Sequence, residues 1–235
     1  MASRDKFKVY EGVFDNLTFK TLYSLRGKCF DKLLGPVSTG KEADVYLAEN
    51  GKSFVALKIY RIRARLYKSI DIYIRDDPRF KAVRNNSKEI IYEWTKKEFR
   101  NLLRAENAGV RVPHPIKFLN NVLVMEFIGK DNKAAPLARN APPENPEKWK
   151  SLIFKWIKDL WEKGGMVHGD LSEWNILNYD EEPVIIDISQ GVLKSHPLSI
   201  KLLRRDVNNI TRWFNKLGCG DNSLINWLDG VLKNV

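Results

Sequence analysis

The stretch His168-Gly169-Asp170-Leu171-Ser172-Glu173-Trp174-Asn175, with Ile185-Ile186-Asp187 a short way downstream, decides the reading of this chain. An Asp with an Asn five positions on, then a second Asp closing an apolar run, is the set of groups that phosphoryl transfer requires. In that chemistry one carboxylate must meet the attacking hydroxyl, while an amide oxygen and another carboxylate hold Mg²⁺ against the phosphates. Val167, then Ile176 and Leu177, then residues 184–186 read as short strands around a polar loop. That arrangement gathers the three polar groups at one strand end. An HxD alone, or one Asp at a strand edge, is widespread as ordinary structural hydrogen bonding. The joint spacing and the upstream residues carry the reading.

Upstream, Leu33-Leu34-Gly35-Pro36-Val37-Ser38-Thr39-Gly40-Lys41-Glu42-Ala43 leads into an apolar run at 45–48. Asn50-Gly51 marks a hairpin between that run and residues 53–60, which places Lys58 on a third strand and the Ser38–Gly40 segment in a turn between the first two. Gly35-x4-Gly40-Lys41 approaches a Walker A loop, but Glu42 stands where a Ser or Thr must bind Mg²⁺, and a strand rather than a helix follows. Ser38, Thr39, Gly40 and Lys41 instead suit a β-turn whose small residues let backbone N–H groups approach a nucleotide's phosphates. Residues 87–108 predict a long amphipathic helix with Ile91, Trp94, Leu102 and Leu103 towards the core, ended by Ala108-Gly109. Glu98 on this helix can pair with Lys58 and fix it on the phosphates. Glu93 competes for that role; Glu98 is favoured because it lies one helical turn from both Trp94 and Leu102.

Residues 115–119 and 122–127 predict a second hairpin around Asn120-Asn121. Beyond it, backbone groups of Glu126 and Ile128 are candidates for an adenine edge, with Met125 limiting the pocket. Four prolines at 136, 142, 143 and 146 mark a connector. The following helix sets Trp149, Leu152, Ile153, Trp156, Leu160 and Trp161 on a broad apolar face, a core rather than a ligand box. Residues 4–34 read as helical, with Phe14, Leu17, Leu22 and Leu25 at helical spacing, and two more helices are expected near 198–216 and 222–233.

At 235 residues with 43% hydrophobic and 11% aromatic side chains, the chain can bury a substantial core. No apolar run approaches the roughly 20 residues that span a bilayer, and MASRDKFKVY lacks the apolar core of an export signal. Cys29 and Cys219 lack metal-ligand spacing and fit a reducing compartment, so a cytoplasmic, non-membrane protein is expected, with a monomer favoured. The net charge of +11 points to an anionic partner such as RNA, DNA, a nucleotide or a ribosomal surface.

Together, Ser38-Thr39-Gly40-Lys41-Glu42-Ala43, Lys58, Glu98, HGDLSEWN and IID resemble the RIO family of atypical serine protein kinases. The resemblance is best to its first, RIO1-type, subfamily, and runs from about residue 33 to residue 217. It implies an α+β, two-lobed protein-kinase-like fold: an antiparallel sheet plus a long helix in the N-lobe and a mostly helical C-lobe. The expected division is an N-terminal helical extension (1–34), an N-lobe (35–128), a hinge and connector (129–148) and a C-lobe (149–235). It also implies ATP with Mg²⁺ (Mn²⁺ as a substitute), Asp170 as catalytic carboxylate, Asn175 and Asp187 as metal ligands, and Lys58 on the phosphates, paired with Glu98. Members act in maturation of the small ribosomal subunit, and some pass through a phospho-aspartate at the position of Asp187. The short chain looks more archaeal than eukaryotic.

Trp174 stands where the family usually has Tyr, and Asp44 where Asn is common. Against ordinary protein kinases, Gly169 replaces the Arg that reads a phosphorylated activation loop, and Asp187-Ile188-Ser189 replaces DFG. About ten residues separate Asp187 from His196-Pro197, too few for a peptide-gripping activation segment.

Between Lys58 and Glu98 lie 39 residues, more than a strand-to-helix connection needs. Residues 61–88 carry nine basic side chains (Arg61, Arg63, Arg65, Lys68, Arg75, Arg79, Lys81, Arg84, Lys88) against Asp71, Asp76 and Asp77. With Tyr67, Tyr73 and Phe80 interleaved, this flexible insert suits ribosomal RNA, the pre-ribosomal small subunit or its proteins. Ser69 and Ser87 are candidate autophosphorylation sites. Two other functions compete: a small-molecule kinase of the aminoglycoside or choline type, which shares HGDL-x3-NIL and IID, and an RNA-binding scaffold holding a structural nucleotide.

Overall fold

A computed structural model describes residues 14–62, 70, 73–74, 77–80 and 86–233. The remainder, including Arg63, Arg65, Tyr67, Lys68, Ser69, Arg75, Lys81 and Arg84 of the insert and the start of the N-terminal extension, lies outside the described residues, as does the side chain of Ser87. The chain forms two compact units. The first holds the described residues up to 62 with 86–99 and 115–127; the second holds those within 70–80 with 100–114 and 128–233.

In the first unit, strands β1 (Lys32–Thr39), β2 (Ala43–Asn50), β3 (Ser53–Tyr60), β4 (Pro115–Leu119) and β5 (Val122–Glu126) form an antiparallel sheet in the order β1-β2-β3-β5-β4. The central β3 buries Val55, Ala56, Leu57, Ile59 and Tyr60, a nearly continuous apolar run in which Val55, Ile59 and Tyr60 are of the β-branched and aromatic types that favour strands. Asn50 pairs with Ser53, so the tight turn is Gly51-Lys52, one residue later than the dipeptide suggests; Gly51 takes φ +60°, which glycine adopts freely. Pro36 is tolerated because β1 is an edge strand with irregular register on either side of it.

Helix α1 (Asn16–Leu25) is shorter than the helical reading of 4–34. Asp15 caps it, accepting from the N–H groups of Leu17 and Thr18. It stops because Gly27, at φ +73°, turns the chain back so that its N–H reaches the Phe30 carbonyl, and β1 begins at Lys32. Leu22 and Leu25 enter the core with Phe30, Leu33, Leu57 and Val124, whereas Leu17, in the first turn, stays exposed. Helix α2 (Ser87–Asn107) buries Ile91, Trp94 and Leu102, while Leu103 is only half-buried and Ala105 takes the inward place. Gly109, at φ +82°, ends it, with the Val110 N–H reaching back to the Ala105 carbonyl.

The second unit is mainly helical: α3 (Pro146–Glu162), α4 (Ser199–Lys216) and α5 (Ser223–Leu232). Asn145 caps α3, and Pro146 occupies its first turn, where the missing N–H costs nothing. Trp149, Trp156, Leu160 and Trp161 are buried as read, and Trp149 meets Trp213 of α4 edge-on at 6.3 Å. The short pieces β6 (Gly129–Lys130), β7 (Lys133–Ala134), β8 (Met166–Val167), β9 (Ile176–Tyr179), β10 (Glu182–Ile185) and β11 (Val192–Leu193) pair as β6/β7, β9/β10 and β8/β11. The proline-marked connector is tied to β9: the Ala138 N–H donates to Ile176, and the Asn178 N–H to Pro136. Between Asp187 and α4 run only a 3-10 turn (Ile188–Gln190), β11 and a bend. No helix among the described residues is long and apolar enough to cross a membrane.

Candidate active site

The first unit presents one group of the sequence-read residues. Strand pairing sets Ser38 opposite Val45, Val45 opposite Lys58, and Lys58 opposite Leu123. Met125 pairs with Ala56, two residues from Lys58, so Ser38, Lys58 and Met125 share one face of the sheet. Ser38 and Thr39, read as turn, are the last paired residues of β1; they and the turn residues Gly40 and Lys41 are exposed. Gly40 donates its N–H to the Ala43 carbonyl, and a Cβ at Gly40 would lie 2.9 Å from that oxygen, so the turn closes this tightly only with glycine. Asp44 and Arg61 lock the base of the turn through two hydrogen bonds of 2.9 and 2.6 Å, which accounts for Asp at this position.

Lys58 donates to Glu98 Oε1 at 2.7 Å, and Tyr60 donates to Glu98 Oε2. Both ends of the ion pair are buried, so the sheet and α2 hold the ammonium in one place. Glu93 instead pairs with Lys96 on the partly exposed side of the helix. Met125 and Glu126 end β5; the Ile128 carbonyl accepts from the Ala135 N–H, which leaves its own N–H as the group it could offer an adenine edge.

The second unit presents the other group. Asn175 Nδ2 donates to the Asp170 carbonyl at 2.7 Å and lies 3.4 Å from Asp170 Oδ2. The Ile186 N–H donates to the Asn175 carbonyl at 3.0 Å, bringing the next residue, Asp187, to the same loop. Asp187 is exposed, at φ +57°, and its Oδ1 accepts from the Ser189 hydroxyl at 2.9 Å. Because the Asn175 NH₂ is committed to Asp170, its amide oxygen is turned the other way. An amide oxygen and an exposed carboxylate are hard donors, and Mg²⁺ held with substrate phosphates needs only one or two carboxylates from the protein. These residues therefore fit that metal. Among the described residues there is no cluster of three or more His, Cys, Asp or Glu to form an all-protein cage.

Several residues that position this loop escaped the sequence reading. His168 is buried. Its Nδ1 accepts from the Asp170 N–H, so the tautomer protonated at Nε2 satisfies both contacts by donating to the Ile186 carbonyl. Asp206, wholly buried on α4, accepts from the Gly169 N–H at 2.7 Å and the Leu171 N–H at 2.9 Å. Burial drives its carboxyl up from 3.8 to about 7 despite those two bonds. Gly169 takes φ +82°, and a Cβ there would sit 3.0 Å from the Gln190 carbonyl, so this bend excludes the Arg of ordinary kinases. Burial also raises the Asp170 carboxyl, helped by the charge of Asp187 and opposed by Arg205 and the Asn175 amide. Arg205 Nη2 lies 3.5 Å from Asp170 Oδ1, and Gln190 Nε2 lies 3.4 Å from Asp170 Oδ2. His168 sits inside the quoted motif and could have been weighed; Asp206, Gln190 and Arg205 lie on later elements with no local pattern to single them out.

A model of the RIO domain family matches residues 44–224. The chain is 41% identical over 216 residues to the RIO-type serine/threonine-protein kinase Rio1 of Haloferax volcanii, covering 91% of this chain and 74% of that one. It is 40% identical over 229 residues to the protein of the same name from Methanocaldococcus jannaschii, covering 96% and 79%. Among solved structures, the Rio2 kinase of Chaetomium thermophilum, in its ADP/Mg²⁺-phosphoaspartate complex, superposes with a TM-score of 0.66 at 23% identity. That match covers 85% of this chain but only 60% of the Rio2 chain.

Proposed function

The chain belongs to the RIO family, in its RIO1-type branch of serine/threonine-protein kinases with a protein-kinase-like fold, and on that premise we propose that it transfers the γ-phosphoryl group of ATP with Asp170 as the catalytic carboxylate. The observation that carries this is the loop in which Asn175 bonds back to Asp170 while Ile186, beside Asp187, bonds to Asn175. It presents a base and two metal-ligand side chains from one hydrogen-bonded frame. The raised carboxyl of Asp170 makes it the better proton acceptor for a serine or threonine hydroxyl. Lys58, held by Glu98, contacts the α- and β-phosphates, and Ser38, Thr39, Gly40 and Lys41 cover them with backbone N–H groups and hydroxyls. Met125, the Glu126 carbonyl and the Ile128 N–H receive the adenine. Asn175 and Asp187 hold Mg²⁺, which when bound neutralises phosphate charge.

Asp187 supports a second reading, in which turnover is largely that of an ATPase. Its carboxylate is exposed, and an oxygen of it could attack the γ-phosphorus as the bond to the β-phosphate oxygen breaks, with ADP leaving; water would then hydrolyse the acyl phosphate. The biological setting proposed is maturation of the small ribosomal subunit, with the basic insert binding RNA and Ser69 or Ser87 as autophosphorylation sites.

Turnover of ATP and autophosphorylation by the wild type and by Asp170→Ala test the assignment. Loss of both activities in the variant is expected; equal rates would overturn it. Label from the γ-phosphate that is released by hydroxylamine but stable to mild acid would not be on Asp187 if Asp187→Asn retains it.

A further inference from the structure

Among its described residues, the insert between β3 and α2 reaches the catalytic loop through a side chain that the chemistry above leaves unused. Tyr73 donates its hydroxyl to Gln190 Oε1 at 2.9 Å, across 117 positions of sequence. Gln190 in turn faces Asp170, with Nε2 at 3.4 Å from Oδ2. Its amide orientation is not free to invert. Tyr73 and Arg205 both approach Oε1 as donors, at 2.9 and 3.2 Å, and a carboxylate can only accept. The oxygen must face the donors and the NH₂ must face Asp170.

Both ends of this relay are anchored within the second unit. Around Tyr73, Ile70, Ile74 and Phe80 are buried, and Arg79 joins Asp77 to Asn101, which donates to the carbonyls of Ile188 and Gly191 on either side of Gln190. The Gln190 carbonyl also lies close to Gly169, where an added Cβ would come within 3.0 Å of it. Main-chain anchoring leaves the Gln190 rotamer as the open variable, and the firmest bond upon it is the one from Tyr73. The contacts to Asp170 itself are long, as catalytic contacts often are before substrate closes on them. Their geometry is accordingly sensitive to what lies behind Gln190.

We propose that Tyr73 and Gln190 are positioning residues for the Asp170 carboxylate, the Tyr73 hydroxyl acting through the Gln190 amide. The insert is then part of the catalytic machinery as well as a charged surface. This rests on Asp170 being the catalytic carboxylate.

The test is a double-mutant cycle of Tyr73→Phe and Gln190→Met in the full chain, reading kcat, KM for ATP and the melting temperature, with Asp170→Ala alongside. Tyr73→Phe should lower kcat about 3- to 10-fold, the size of one net hydrogen bond, with KM and melting unchanged. Gln190→Met should lower kcat at least as far, and adding Tyr73→Phe to it should lower kcat no further. Multiplying effects would show that Tyr73 does not act through Gln190, and wild-type kcat in either single variant, or a change in KM alone, would equally overturn the proposal. Should Gln190→Met not fold, the kcat and KM of Tyr73→Phe decide by themselves. Wild-type turnover in Asp170→Ala would mark a different failure, that of the catalytic assignment.

Discussion

Lys58 Nζ lies 2.7 Å from Glu98 Oε1, in a pair whose side chains keep only 9% and 2% of their exposure. A buried pair of this kind adds little net stability, but breaking it strands a charge away from water. Lys58→Met should therefore destabilise the fold by about 3 kcal/mol, because it takes the ammonium away from a Glu98 carboxylate that is buried. Lys58→Met with Glu98→Leu should regain most of that stability and still lack phosphotransfer. Chemical denaturation alongside ATP turnover checks both halves; an equally unstable double variant would refute the argument.

Asp187 separates chemistry from stability more cleanly. It is exposed, and its φ of +57° is one that Asn tolerates. Asp187→Asn should melt with the wild type yet lose about a hundredfold or more in turnover at any Mg²⁺ concentration. Asp187→Ala should add roughly 1 kcal/mol of backbone strain to the same catalytic loss. Melting curves with a Mg²⁺ titration of turnover distinguish the two variants.

Asp206 predicts a pH dependence of stability. Its carboxyl titrates at 3.8 ordinarily and at about 7 in the fold, so the folded state holds a proton that the unfolded chain gives up. Its contribution is complete below about pH 4 and is lost as pH rises through 7. Asp206→Asn cannot ionise, and it offers one oxygen to two N–H groups, so it should be the less stable protein at pH 4. The gap should narrow steadily towards pH 7. Parallel melting curves across that range check this, and a gap independent of pH would show that Asp206 is ionised throughout.

Polyanion binding by the insert can be read from its salt dependence. Arg61 and Arg79 are engaged by Asp44 and Asp77, so they are poor choices for a charge test. Neutralising Arg63, Arg65 and Lys68 should flatten the slope of log affinity for RNA against log salt by about 0.7–0.9 for each phosphate that is no longer neutralised. An unchanged slope would mean that these residues touch no phosphate.

Hydrophobic periodicity revealed the tryptophan face of α3 and the long α2, and turn residues between apolar runs revealed the hairpins, because each is a property of neighbours in sequence. The N-terminal region was harder. Its apolar residues fit a helix beyond Leu25, and only the reversal at Gly27, with pairing of β1 to β2, makes Leu33 part of a strand. Leu103 was misplaced because it lies one position round the helix from Leu102, whereas Ala105, three positions on from Leu102, shares its buried face.

By itself, the sequence determined which chemistry-bearing residues exist and which of them must be near one another. Asp170 and Asn175 are joined by a turn short enough that their hydrogen bond is a local matter, and the β9–β10 hairpin returns the chain to the same loop. Tertiary structure decided everything that holds those groups still. Glu98 rather than Glu93 meets Lys58, Asp206 secures Gly169 and Leu171, and Tyr73 finds Gln190. A buried polar group must find a partner, but which partner depends on surfaces that meet only when distant segments pack.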